Sequence, residues 1–290
     1  MANRVVITTD TGCDFNAELL EKYHIADMIP LYINMQGKSL RDYHECTPDD
    51  IFKCYNDTKQ VPKTAAPPPG DYIEHFDKFA SQGFDIVHIS INGVFSSSYS
   101  NSVLAGKEIS QKYGTEVYAI DSHTLTGAQA LLAIRAAELA DSGMSAKDIA
   151  EQITAMTQKV QTDFLLGGMD YAAKGGRCSM LVAFGANLLK LYPMMHIDGA
   201  GVITAPKKFR GSLKSVHNQY IDYVLGLAEK NADHSRLIID YTGMDKPLLD
   251  ALLKRVKDYG KFKDIVLCRT NCTVATHGGP NTIALFYVNK

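Results

Sequence analysis

The sequence predicts an α/β fold in which a mainly parallel sheet is flanked by helices. Two observations carry this. Short runs rich in β-branched residues alternate with amphipathic stretches of helical length, and cap and turn residues fall between the two kinds. A 290-residue chain, at roughly 100–200 residues per domain, makes one large domain or, more naturally, two. Length and pattern divide it into an N-terminal α/β domain, 1–155, and a C-terminal one, 156–290, with little change of composition across the divide.

Arg4 to Thr9 is β-branched and reads as the first strand, and the Asp10 to Asp14 turn caps a polar, periodic helix from Asn16 to Tyr23. Short apolar runs at Met28–Asn34, Asp85–Ile91 and Glu116–Ile120 read as further strands. Helical periodicity covers Pro48–Tyr55, Gly70–Gln82, Ser98–Tyr113, Thr126–Ser142 and Ser145–Val160. Lys59 to Pro69 holds four prolines in eleven residues, which suits a stiff surface loop. Beyond the divide, Phe164–Gly168 reads as strand, Tyr171–Arg177 as turn, and Val182–Leu191 as a helix that Pro193 stops. Asp198-Gly199 between Met194–Ile197 and Gly201–Ala205 marks a hairpin, followed by a helix at Ser212–Lys230. Arg236–Tyr241, Asp264–Arg269 and Thr282–Val288 complete the strands, with a helix at Lys246–Tyr259.

Composition narrows the function classes. The chain is 46% hydrophobic and 21% charged, as ordinary globular proteins are. Thirty Lys and Arg against 32 Asp and Glu leave no global positive field for nucleic acid or an anionic membrane. No apolar run approaches the roughly 18 residues of a membrane span, and the opening residues lack a signal-peptide pattern, so a cytoplasmic protein with no integral membrane segment is expected. The six cysteines are scattered without zinc-site spacing, and the nine histidines never form His-x-x-x-His or His-Glu-x-x-His. No metal or cofactor is expected.

Four loops could carry chemistry. Thr8 to Asp14 ends a strand in Asp, Thr and Gly and reads either as a ligand-facing strand end or as an Asx turn capping the next helix. It lacks the glycine spacing of phosphate-binding loops. Asn92 to Tyr99 puts three serines ahead of a helix, either an anion seat or an N-cap. Lys174-Gly175-Gly176-Arg177 combines a tight backbone with a planar donor fork suited to an anion or to a surface carboxylate. Thr276 to Asn281 holds His277 on a glycine-rich turn, where it could donate to an oxyanion. His88 alternates with Val87 and Ile89 and reads as structural, and Cys13 as a buried thiol.

Taken in order, Thr9-Asp10-Thr11-Gly12-Cys13-Asp14, Pro30-Leu31 with Gly37-Lys38, Phe95-Ser96-Ser97-Ser98-Tyr99, Ala119-Ile120-Asp121-Ser122, Lys174-Gly175-Gly176-Arg177 and Thr276-His277-x-Gly279-Pro280 resemble the DegV family of bacterial fatty-acid-binding proteins over nearly the whole chain. The resemblance implies two α/β domains around one long-chain fatty acid, the tail in an apolar interdomain tunnel and the carboxylate held by loop hydroxyls. Some members pass that carboxylate to a separate fatty acid kinase. Carried over by motif, the carboxylate-binding residues are Thr64, Ser96 and His277, with Arg177, Gly93, Ser97 and Gly279 supporting the head-group region. The family's upstream serine pair becomes Asn92-Gly93, Ala65 and Pro68 stand where the family has serines, and Ser97 and Asn281 stand where it has glycines. Phe95, Phe164, Leu165, Met169, Phe184, Leu188 and Leu191 read either as tunnel lining or as core. The resemblance implies a non-catalytic lipid carrier. The rival readings are an enzyme acting on a small carboxylated or phosphorylated ligand in the same cleft, and an adaptor with a residual cleft.

Overall fold

The computed structural model describes residues 4–176 and 191–290. The expected helix at Val182–Leu191 therefore lies outside the described residues except for Leu191.

The first sheet is wholly parallel, in the order β2-β1-β6-β7, built from β1 (Val5–Asp10), β2 (Asp27–Ile29), β6 (Asp85–Ser90) and β7 (Val117–Asp121). A small antiparallel sheet contains β3 (Tyr32–Met35), β4 (Lys38–Arg41) and β5 (Lys63–Ala65), ordered β4-β3-β5. The run expected at Met28–Asn34 is thus two strands in two sheets. Pro30, which has no N–H for a ladder, stands at the break. The strand β5 lies inside the proline-rich segment expected to be loop, and its Thr64 pairs with Ile33 of β3.

The second sheet has six strands in the order β10-β9-β8-β13-β11-β12. They are β8 (Val160–Leu165), β9 (Leu191–Ile197), β10 (Ile203–Arg210), β11 (Ala232–Thr242), β12 (Asp264–Arg269) and β13 (Thr282–Asn289). Here β11 and β12 alone run parallel; the other ladders are antiparallel because β9 and β10 form the expected hairpin and β13 runs between β8 and β11 against both. The expectation of mainly parallel pairing describes the first sheet.

The helices are α1 (Ala17–Lys22), α2 (Pro48–Thr58), α3 (Pro69–Ala80), α4 (Ser98–Tyr113), α5 (Thr126–Asp141), α6 (Ala146–Met156), α7 (Asp170–Gly175), α8 (Leu213–Asn231), α9 (Lys246–Tyr259) and α10 (Cys272–Gly278). α7 replaces the turn expected at Tyr171–Arg177, and α10 replaces the expected glycine-rich turn around His277. α3 and α4 cover one face of the first sheet through Tyr72, Phe76, Ala105 and Ile109. α8 and α9 cover the outer face of the second through Tyr220, Ile221, Val224, Leu252 and Val256.

Between the sheets lies α5, on which only Arg135, Glu138 and Asp141 are exposed. Its alanines and Leu131, Leu132 and Ile134 share one core with Ile7, Val87 and Ile89 of the first sheet and with Ile238, Ala284 and Phe286 of the second. Residues on both sides of position 155 therefore share this core. Complete burial of one large aliphatic side chain stabilises by about 1.5–3 kcal/mol. The alanine content lets the helix approach both sheets closely. Gln129 bonds to Thr9 Oγ1 and Ile89 O at 2.9 and 3.0 Å, and the Gly127 N–H donates to Asp240 on β11. Its first turns are thus tied to both sheets.

Candidate functional site

One face of the second sheet, the β5 edge, the loop after β6 and the inner face of α10 enclose a cavity. The two-residue period of a strand decides which side chains reach it. Phe164 and Leu166, Met195 and Ile197, and Thr282, Ala284 and Phe286 face the cavity, while Leu165, Met194, Ile283 and Leu285 turn to the opposite core. Leu165 is therefore core and not lining. Phe95 and Phe164 do line the cavity. Met169 packs beside Leu166, Ala172 and Met195 without lining it, and Leu191 opens β9 half-buried outside it. Phe184 and Leu188 lie outside the described residues.

Thr64, Ser96 and His277 all reach this cavity. Thr64 Oγ1 and His277 Nε2 are 2.9 Å apart, joining β5 to the last turn of α10 across 213 positions of sequence. Ser96 Oγ lies 2.8 Å from Ser98 Oγ and accepts the Ser98 N–H at 3.2 Å, which fixes its rotamer at the head of α4. Two devices set His277. Asp42 accepts the N–H groups of Cys272 and Thr273 at 2.8 and 2.9 Å, anchoring α10. Gly175 gives the ring its space: a Cβ there would stand 2.4 Å from His277 Nδ1.

The supporting residues that are described stand in the loops around the cavity. Gly93 is exposed, its N–H donates to Asp121 at 3.1 Å, and a Cβ would meet Asp121 Oδ2 at 2.6 Å. Ser97 is exposed at the N-cap of α4. Gly279 has φ +68° and a Cβ would meet Tyr171 at 2.6 Å. These three residues shape the loops around the cavity and do not line it. Arg177 lies outside the described residues. Gly176 ends α7 in the left-handed region at φ +73°, and Lys174 reaches Tyr55 and the Lys59 carbonyl of α2's end. Asn281, which stands for a family glycine, has φ +61°, a conformation Asn adopts more readily than other side chains. Ala65 lines the cavity, so the serine-to-alanine change makes that wall apolar.

The Thr8–Asp14 loop is internal bracing. Asp10 accepts from Gly12, Gln129, Ser90 and Ile91, Thr11 Oγ1 accepts the Leu31 N–H, and Asp14 accepts the Asn271 N–H at 2.6 Å. Burial pushes the Asp10 carboxyl up to about 6, against those four donors. Burial likewise raises Cys13, and it lowers His88, which sits 2.9 Å from Thr8 Oγ1.

Sequence reading passed over polar residues of the cavity on β11, α5, α10 and the loop after β12. Asp240, Thr126, Thr270 and Thr273 all line it. Burial pushes Asp240 up to about 7, opposed by the Gly127 N–H, Thr126 and Cys268. Burial and then the nearby Asp240 raise Asp14. Thr126 is a β-branched residue at φ +59°, a strained conformation that its surroundings impose. That strain and the burial of Asp240 are three-dimensional facts; the available signal was only the placement of Asp240 near the end of an apolar strand.

The chain matches the DegV family, described as uncharacterised proteins, over residues 4–290. It belongs to the DegV family. It is 27% identical to a fatty acid-binding protein of Thermotoga maritima, covering 97% of this chain and 96% of that one. It is similar to the stearic acid-binding protein of Eubacterium ventriosum, with TM-score 0.87 and 26% identity over 100% of this chain and 99% of that one. It also shares the fold of the Streptococcus pneumoniae Fatty Acid Kinase (Fak) B3 protein loaded with linoleic acid, with TM-score 0.83 and 22% identity over 99% of each chain. Among the described residues, no helix is long and apolar enough to cross a membrane, and no group of three or more His, Cys, Asp or Glu could hold a metal ion.

Proposed function

We propose that this DegV protein binds one long-chain fatty acid, with the carboxylate on Thr64, Ser96 and His277 and the tail along the apolar face of the second sheet. The observation that carries this is the meeting of those three polar side chains in one cavity otherwise walled by residues such as Phe95, Phe164, Leu166, Met195, Ile197 and Phe286. Each methylene withdrawn from water contributes about 0.8 kcal/mol, so the tail supplies affinity, and the donors offset the desolvation of the carboxylate. The ligands named for the Thermotoga and Eubacterium relatives support the reading.

The chemistry supports a carrier in place of an enzyme. His277 pairs with Thr64 while Ser96 bonds to Ser98, so among the described residues Ser96 has no base bonded to it, and its hydroxyl is left to serve as a donor. The carboxylate seat stands beside the loop 91–97, where Val94 is 60% exposed, which supports presentation of the head group to a separate fatty acid kinase. Native mass spectrometry of freshly purified protein, followed by extraction of the denatured sample with a solvent-only control, tests the proposal. The expected result is one fatty acid per chain. A protein that emerges empty and takes up no added fatty acid would sink it. Transfer to the kinase is tested separately, by acyl phosphate formation that requires the loaded protein.

A further inference from the structure

The cavity has a polar wall that the carboxylate seat leaves unused. Thr126 at the start of α5, Asp240 near the end of β11, Thr270 after β12 and Thr273 in the first turn of α10 all line it. Each is 2–4% exposed. Among the described residues, the three hydroxyl oxygens and Asp240 Oδ1 complete no hydrogen bond of full geometry; the Thr126 hydroxyl and Cys268 thiol still interact with Asp240, and the Thr273 hydroxyl with Asp42. Native proteins pair nearly all buried polar atoms, so four incompletely bonded ones gathered on one wall of an apolar cavity point to a place that can receive a polar group.

The position and chemistry of that group follow from the same residues. Thr273 and His277 are four residues apart on α10, on one face and about 6 Å apart along its axis. The wall is therefore roughly one helical turn from the carboxylate seat, a few methylenes along a bound chain. Three hydroxyls can donate or accept and a carboxylate accepts, so the complementary group is one that does both. A second anion is disfavoured, because Asp240 faces Asp14 and neither has a cationic partner among the described residues.

We infer that Thr126, Asp240, Thr270 and Thr273 form a second polar subsite, and that the ligand it selects is a fatty acid bearing a hydroxyl on its chain. This rests on the carrier reading. The test measures Kd for an unsubstituted C18 acid and a positional series of monohydroxy C18 acids, with the wild type, Thr270→Val/Thr273→Val and Thr270→Ser/Thr273→Ser. The expected result is one hydroxyl position binding at least about tenfold more tightly than the plain acid in the wild type, an advantage lost in the valine pair and kept in the serine pair. Were every hydroxy isomer to bind no better than the plain acid, with the plain acid bound normally, the subsite would be refuted and the carrier reading would stand. An advantage that survives in the valine pair, with native folding shown by circular dichroism, would also refute it. Failure of every acid to bind would overturn the carrier reading, and the subsite with it.

Discussion

Gly175→Ala separates binding from stability. In a helix this exchange ordinarily stabilises, by about 0.5–1 kcal/mol. Here the new methyl carbon would sit 2.4 Å from His277 Nδ1 and 3.2 Å from Cε1. Restoring ordinary contact requires the ring to retreat by about 1 Å, since unstrained carbon contacts lie near 3.5 Å. The retreat runs toward or across the Thr64 pair, now 2.9 Å, and a displacement of that size removes hydrogen-bond geometry on one side or the other. A hydrogen bond to a charged group contributes about 1.5–3 kcal/mol, which converts to a rise in Kd of roughly 10- to 150-fold. Isothermal titration with a C18 fatty acid reads the affinity and a thermal melt reads the fold. The expected outcome is weaker binding with an unchanged or slightly raised Tm. A Kd within about twofold of wild type, at a native melt, would refute the claim that His277 is positioned through Gly175.

Replacing Thr64 and Ser96 together by alanine should weaken fatty-acid binding at least about tenfold with native circular dichroism, since each removes a donor from the carboxylate; unchanged affinity would place the head group elsewhere. Gly127→Ala should destabilise by about 1–3 kcal/mol despite its helical position, because the added carbon would meet Ile238 at 2.4 Å and Asp240 at 2.8 Å; urea unfolding checks it, and a stabilised variant would contradict the packing. Asp240 binds its proton more tightly folded, up to about 7, than at its ordinary 3.8. Its contribution to stability is therefore fully present below about pH 4 and lost as the pH rises toward 7. Asp240→Asn should flatten the fall of Tm across that window, and parallel wild-type and variant profiles would exclude Asp240 as a source of it.

What the sequence disclosed depended on how local the determinant is. The first sheet and its covering helices were legible because β-branched runs and helical periodicity are local signals. The three residues of β5 were not, since their strand character comes from pairing with β3, thirty positions away. α10 was hidden for a related reason. Cys-Thr-Val-Ala-Thr-His-Gly is poor in strong helix formers, and the helix is anchored by Asp42, 230 residues distant, which accepts its first N–H groups. Resemblance supplied Thr64, Ser96 and His277 as a set. The lining was only half legible: alternation sorts Phe164 from Leu165, but which of the two faces meets a cavity is decided by what the other sheet and α5 bring against it.

The double attachment of α5 bears on how a ligand gets in. A protein whose sheets were joined by a flexible linker could part them like covers and close again on its cargo. In this chain that motion would strip Ile238 and Phe286 from the shared core, at about 3–6 kcal/mol for those two side chains alone. Fewer than about one molecule in a hundred would stand open at any instant. Under the carrier reading, a fatty acid would therefore enter with the sheets still clasped, the central helix keeping the frame in place as it loads.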